Sequence, residues 1–144
     1  MRTVIQRVSA ASVTVDGTCI ASIGQGLLVL VAFTHTDQSA DLDFHVRKIT
    51  NLRIFNDEAG VMNKSLVDVG GELLLVSQFT LYAQCAKGNR PSYIESAPRE
   101  VAEPLYEEMI VRLESTLGRP IQRGRFGADM KVALVNDGPV TILL

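Results

Sequence analysis

Leu27-Leu28-Val29-Leu30-Val31-Ala32-Phe33 is apolar at every position. Side chains alternate across a strand, so a run apolar at both odd and even positions is buried on both faces. Gly24-Gln25-Gly26 introduces the run, which reads as the central strand of a sheet and is far too short to span a bilayer. Upstream, Val4 to Val8 and Ser12 to Val15 are rich in β-formers, and Asp16-Gly17 is a two-residue hairpin signal before Thr18-Cys19-Ile20. Downstream the period changes. From Ser39 to about Phe55, Leu42, Val46, Ile49 and Arg53 form one helical stripe with Leu52 beside it, and Ser39 or Thr36 is the expected cap. Gly70-Gly71 then precedes a long strand, Glu72 to about Ala83. A second helix follows Pro98, with Val101, Leu105, Met109 and Leu113 on one face, Tyr106, Ile110 and Leu117 alongside, and Gly118 placed to end it. Two more strands, near Met130 to Val135 and Val140 to Leu144, flank a Gly138-Pro139 corner. The order ββ-β-α-β-α-ββ predicts an α/β, strand-dominated single domain over residues 1–144, a mixed sheet or partly closed barrel with two main helices.

Composition excludes several classes. A chain of 144 residues, 47% hydrophobic and 21% charged, can bury a core and is neither disordered nor fibrous. The start, Met1 to Arg7, has no signal-peptide core, and Cys19 and Cys85 lie far apart with no metal-ligand spacing. The expectation is a cytoplasmic protein with free thiols, no membrane and no cofactor. A net charge of −2 gives no global attraction to nucleic acid, so an RNA partner needs a local patch. Arg119, Arg123, Arg125 and Lys131, against only Asp129, form one candidate, and Lys87 with Arg90 a second.

Hydrolytic side-chain chemistry is sparse. In a regular strand, Ser77 and Phe79 share one face and Gln78 and Thr80 the other, so Ser77 and Thr80 meet at one site only if the strand is bulged. A serine or threonine nucleophile needs a base held by a third group, and His35 and His45 have no evident orienting carboxylate in sequence. No His/Cys/Asp cluster has zinc spacing, and Asp57-Glu58 and Glu107-Glu108 are adjacent pairs that point apart on regular elements. Fixed backbone corners are plentiful instead: Gly70-Gly71, Gly88 to Ser92, Gly124 to Ala128, and Gly138-Pro139. A catalyst built from these uses backbone N–H groups as an oxyanion hole and a substrate that brings its own activating group. A terminal adenosine ester does so through its 2′-hydroxyl. The Gly138-Pro139 pair, with no Cβ on one residue and no N–H on the other, presents bare backbone atoms suited to reading a ligand's handedness.

Ser77-Gln78-Phe79-Thr80-Leu81, the Gly88–Ser92 loop, Gly124-Arg125-Phe126-Gly127-Ala128-Asp129-Met130 and Asn136-Asp137-Gly138-Pro139-Val140-Thr141 resemble the D-aminoacyl-tRNA deacylase family. Gln6-Arg7-Val8, Ser12 to Gly17 and Asn51-Leu52-Arg53-Ile54-Phe55 fit as well, so the resemblance spans the chain. It departs at Tyr93, where Phe is commoner, and at Gln84-Cys85-Ala86. The resemblance implies a cytoplasmic homodimer that hydrolyses the ester between a D-amino acid and tRNA, acting at the 3′-terminal adenosine end. It implies a pocket of Ser77, Gln78, Phe79 and Thr80, entered by Gly138 and Pro139 of the partner subunit with their bond in cis. It also implies that Phe126, Ala128 and Met130 hold the adenine, that Arg7 fixes the Gly-Pro loop, and that no metal, DNA or membrane is needed. An L side chain would clash with the Gly138 or Pro139 carbonyl, whereas glycine, with nothing to clash, would pass. Thr80 as a nucleophile is the competing mechanism. A non-catalytic tRNA-binding or dimerisation module of the same fold, or a serine hydrolase of small esters, is the competing function.

Overall fold

The computed structural model describes residues 1–144. Its elements in chain order are β1 (Arg2–Val15), β2 (Thr18–Ile23), β3 (Gly26–Ala32), α1 (Ser39–Asn51), β4 (Phe55–Asn56), β5 (Met62–Lys64), β6 (Glu72–Ser77), a 3-10 turn (Phe79–Tyr82), α2 (Arg99–Leu117), β7 (Gln122–Arg123) and β8 (Lys131–Leu143). Asp16 (φ 50°) and Gly17 (φ 77°) make the expected tight turn between β1 and β2.

β3 is the centre of the sheet. Six of its seven residues are buried, as a strand covered on both faces requires. It pairs antiparallel with β1 from Arg2↔Ala32 to Val8↔Gly26. β2 takes the second half of the same edge, starting at Ala11↔Ile23. β8 runs antiparallel along the opposite edge of β1. On the far side of β3 lies β6, parallel from Gly26↔Glu72 to Val31↔Ser77, followed by parallel β7. The sheet is therefore mixed and strand-dominated, with two helices, as the sequence predicts.

Both helices cover one face. Leu42, Val46 and Ile49 of α1 and Leu105, Tyr106, Met109 and Leu113 of α2 pack on Ile5, Val29 and Leu75. A second cluster, including Val8, Val13, Val15, Leu28, Leu74 and Val76, fills the other face. β1 changes its inward side between the two clusters. The bend falls at Ser9, which has no partner between Val8↔Asn136 and Ala10↔Val135; such a bulge bends a strand and increases its twist.

Four elements differ from the sequence reading. β1 is one strand of 14 residues where two short ones are predicted. Helix α1 ends at Asn51, not Phe55, and its cap is Gln38, whose N–H donates to Asp41 Oδ2 at 2.8 Å. Ser39 is used otherwise, donating from Oγ to Glu108 Oε1 at 2.7 Å. The strand from Glu72 stops at Ser77, because β3 ends beside it. The Gln78 N–H makes the last bond to that partner (Val31 O, 2.7 Å), and the chain then curls through Leu81 N–H to Gln78 O and Ala83 N–H to Thr80 O. Finally, the C-terminal strands are one strand interrupted by a protrusion. Pairing jumps from Val8↔Asn136 to Gln6↔Thr141, so residues 137–140 stand out opposite Arg7.

Candidate active site

The turn after β6 has a chemical consequence. The Phe79 and Thr80 N–H groups open it, and neither finds an acceptor; Leu81 is the first residue of the turn whose N–H does. The first donors of any helical turn lack internal partners. These two sit beside a cleft of about 410 Å³ between the ends of β3 and β6, the start of α2 and residues 126–130. Ser77, Gln78, Phe79, Phe126, Ala128 and Met130 all line this cleft. Thr80 lies next to it, with Oγ1 accepting from Gln78 Nε2 at 2.5 Å. The turn thus brings together residues that a straight strand would send to opposite faces.

Two neighbours shape the turn. Ser96 Oγ donates to Phe79 O at 2.8 Å, and the Tyr93 ring meets the Phe79 ring edge-on with centroids 5.1 Å apart. Across the cleft, Phe126 rests on buried Tyr106, centroids 5.6 Å apart. The Tyr106 hydroxyl donates to Leu75 O at 2.9 Å, the same carbonyl that accepts the Gly124 N–H at 2.9 Å. Burial pushes the Tyr106 phenol far above its ordinary pKa, so it stays a neutral donor. A Cβ on Gly124 would lie 2.6 Å from Met130 Sδ, so Met130 reaches the cleft only because residue 124 has no side chain.

Arg7, Gly138 and Pro139 are not at this cleft. Arg7 is buried, with Nη1 donating to Ile54 O at 2.5 Å and Nε to Asp137 O at 3.0 Å. It grips the base of the protrusion, and its Nη2 would lie 2.9 Å from any Cβ on Gly138. Gly138 has φ 128°, a conformation L side chains rarely adopt, and the Gly138–Pro139 bond is cis. Both residues are exposed on the surface of the chain.

Neither histidine lines the cleft. His35 Nε2 lies 3.0 Å from Ile94 O, and buried His45 faces Thr3 Oγ1 at 3.2 Å. Ser77 therefore has no imidazole beside it. No three His, Cys, Asp or Glu side chains gather as a metal group, and no helix is long and apolar enough to cross a membrane. The basic run is less open than its sequence suggests: Arg123 pairs with Glu107 at 2.6 Å, Lys131 with Asp129 at 3.0 Å, and Arg119 bonds Gly71 O. Arg99 also lines the cleft, bound to Glu103 by two hydrogen bonds of 2.8 and 2.9 Å. The sequence reading passed over this pair; its i, i+4 spacing is visible there as a helix ion pair, but its place at the cleft comes from the packing of α2.

The structure thus combines a mixed sheet, two helices on one face, and a cleft walled by free amides and a braced aromatic. Comparison with known proteins makes this specific. The model of the family D-Tyr-tRNA(Tyr) deacylase matches residues 4–144, and the chain belongs to that family. It is 57% identical over its whole length to a D-aminoacyl-tRNA deacylase of Bacteroides thetaiotaomicron, covering 96% of that protein. Among solved structures it is similar to one described as c-Myc DNA Unwinding Element Binding Protein (48% identity, TM-score 0.93, covering 100% of this chain and 97% of the other). The fold is also that of a probable eukaryotic D-amino acid tRNA deacylase, at 18% identity and TM-score 0.84, covering 99% and 97% of the two chains.

Proposed function

We propose that this chain hydrolyses the ester joining a D-amino acid to the 3′-terminal adenosine of tRNA, releasing both in the cytoplasm. The observation that carries the reading is the pair of unpartnered N–H groups of Phe79 and Thr80 beside the cleft. A carbonyl oxygen placed between them gains two donors as it becomes an oxyanion, and one such donor is worth about 3 kcal/mol in an acyl-transfer barrier. Phe126, Ala128 and Met130 hold the adenine, which sets the ester above the turn. The 2′-hydroxyl of the substrate orients or activates the attacking water. Thr80 is poorly placed to attack: its Oγ1 is bonded to a Gln78 amide, which is not a base.

Gly138 and Pro139 read chirality in a neighbouring copy. They stand exposed and away from their own cleft, so they meet a substrate only across a dimer interface. Main-chain oxygens of that corner leave no room for an L side chain, while glycine passes. DNA binding, which one similar protein's description names, is not part of this reading; Arg99, Arg112, Arg123 and Lys131 are engaged by carboxylates.

The test is a deacylation assay with D-tyrosyl-tRNA, L-tyrosyl-tRNA, glycyl-tRNA and free D-tyrosine ester. The expected result is turnover of the first and third only. Equal rates on D and L substrates would eliminate the steric wall, and no turnover on any tRNA ester would leave a binding module. Thr80→Ala is expected to retain most activity, and a 2′-deoxy terminal adenosine to lose most of it.

A further inference from the structure

Phe126 has a second neighbour. On its cleft side the guanidinium carbon of Arg99 stands over the ring, 5.9 Å from its centroid. That separation is informative. Direct stacking places two flat groups at carbon contact, about 3.5 Å apart, and a flat group held between two others needs about twice that. The carbon-to-centroid distance falls between these spacings, longer than a direct stack and about 1 Å less than a sandwiched base needs. The guanidinium is held from behind. Nε and Nη2 are both bound to the Glu103 carboxylate, one helical turn away. The bidentate pair stops the guanidinium from collapsing onto the ring, and keeps the remaining nitrogen, Nη1, on the side of Gly127. Gly127 brings no side chain into the space.

We propose that Arg99 is the second wall of a base slot: a purine enters between the Phe126 ring and the Arg99 guanidinium, which moves outward by about 1 Å, and is stacked on both faces, with Glu103 as the positioning residue that keeps the guanidinium facing the ring. The inference rests on Phe126 as the adenine platform. It adds that the terminal base is enclosed rather than laid on an open shelf. Flat guanidinium groups stack on aromatic and base faces, which an ammonium cannot do. A phosphate contact by the same side chain is the rival account, and the two differ in what they ask of the ligand.

Adenosine, which has no phosphate, is the probe, titrated by NMR into the intact protein and its variants at low and high salt. Arg99→Ala is expected to weaken adenosine roughly tenfold, with little change on raising salt. Arg99→Lys does not restore the affinity. Glu103→Gln gives a smaller loss, and adenosine monophosphate weakens in parallel with adenosine. Arg99 is largely exposed and Glu103 partly so, and the variants are expected to unfold at the same temperature as the parent. Unchanged adenosine affinity in Arg99→Ala overturns the slot, as does rescue by lysine with an effect confined to the monophosphate. Phe126→Ala separates this from the wider reading. If it weakens adenosine and Arg99→Ala does not, only the slot fails; if neither does, or the parent protein binds no adenosine, the adenine platform fails with it.

Discussion

At the scale of single residues, several side chains hold the backbone around the site in place. Arg7 is the clearest instance. It is a buried cation whose nearest carboxylate, Asp137 Oδ2, lies 3.4 Å away and is half exposed. Its main partners are two carbonyls, Ile54 O and Asp137 O, from segments far apart in the chain. A planar fork can serve both at once, whereas a lysine ammonium on a flexible stem serves one. Arg7→Lys should therefore leave one buried carbonyl unpaired and cost about 1–3 kcal/mol, read as a lower midpoint in urea unfolding. It should also loosen the 137–140 protrusion, so the preference for D over L substrates falls more than the turnover of D substrate. Unchanged stability and unchanged preference would remove Arg7 from this role. Gly124 works in the opposite way, by being absent. Its missing side chain is the space that Met130 Sδ occupies, so Gly124→Ala displaces Met130 and weakens adenosine binding while the fold, which meets the new methyl only through this flexible thioether and an ordinary contact with Val76, survives.

At the scale of elements, the regular parts are legible in the sequence, whereas the shapes of the functional segments are not. The all-apolar run at β3, the Asp16-Gly17 hairpin and the α2 stripe ending at Gly118 (φ 66°) follow from local pattern, because burial on both faces, a tight turn and a left-handed cap each demand particular residues. The sequence predicts strand where the 3-10 turn at Phe79–Tyr82 lies, because phenylalanine, threonine and tyrosine favour strands. What ends the strand is the end of its neighbour β3, a fact of tertiary pairing that no local signal carries. The same holds for β8, where a corner was expected and a protrusion from a continuous strand is found. Of the site, the turn and the Phe126–Met130 segment could be named from motifs, but the ties from Ser96, Tyr106 and Arg99 depend on how α2 and the loop before it pack. Packing of α1 has a measurable signature as well. His45 lies buried against β1, and burial, reinforced by the nearby terminal ammonium and opposed by Asp37 and Asp41, holds its pKa below the ordinary 6.5. Below pH about 6.5 the unfolded chain binds a proton that the folded chain refuses, so stability rises with pH in that window and is complete above it. The melting temperature should fall as pH drops from about 7.5 toward 5.5, and His45→Gln should flatten that part of the curve. A profile that His45→Gln leaves untouched would place the titrating group elsewhere.

At the scale of the whole molecule, the sheet leaves β8 with a long open edge. This strand of thirteen residues pairs only with β1, on one side, and its Val135 and Leu143 are exposed at 59% and 73%. An uncovered strand of this length invites pairing with another chain. On the proposed reading that chain is a second copy whose Gly138-Pro139 protrusion enters the cleft; the two halves of the site would then lie on different chains, which gives a test independent of any structure of the dimer. Gly138→Ala, which forces a Cβ against Arg7 and Val140 at a backbone conformation that L side chains rarely adopt, should spoil the protrusion, and Phe126→Ala should spoil the adenine platform. Each variant alone has no intact site. In a mixed population formed by random pairing from equal amounts, half the dimers are hybrids, and each hybrid has one site with both elements intact, so about a quarter of the sites recover. Co-expression of the two variants should therefore restore roughly a quarter of the parent rate on D-tyrosyl-tRNA at limiting substrate. If the protrusion served the cleft of its own chain, every site in the mixture would still carry one defect and no activity would return; that outcome would reduce the open β8 edge to a packing surface with no part in the reaction.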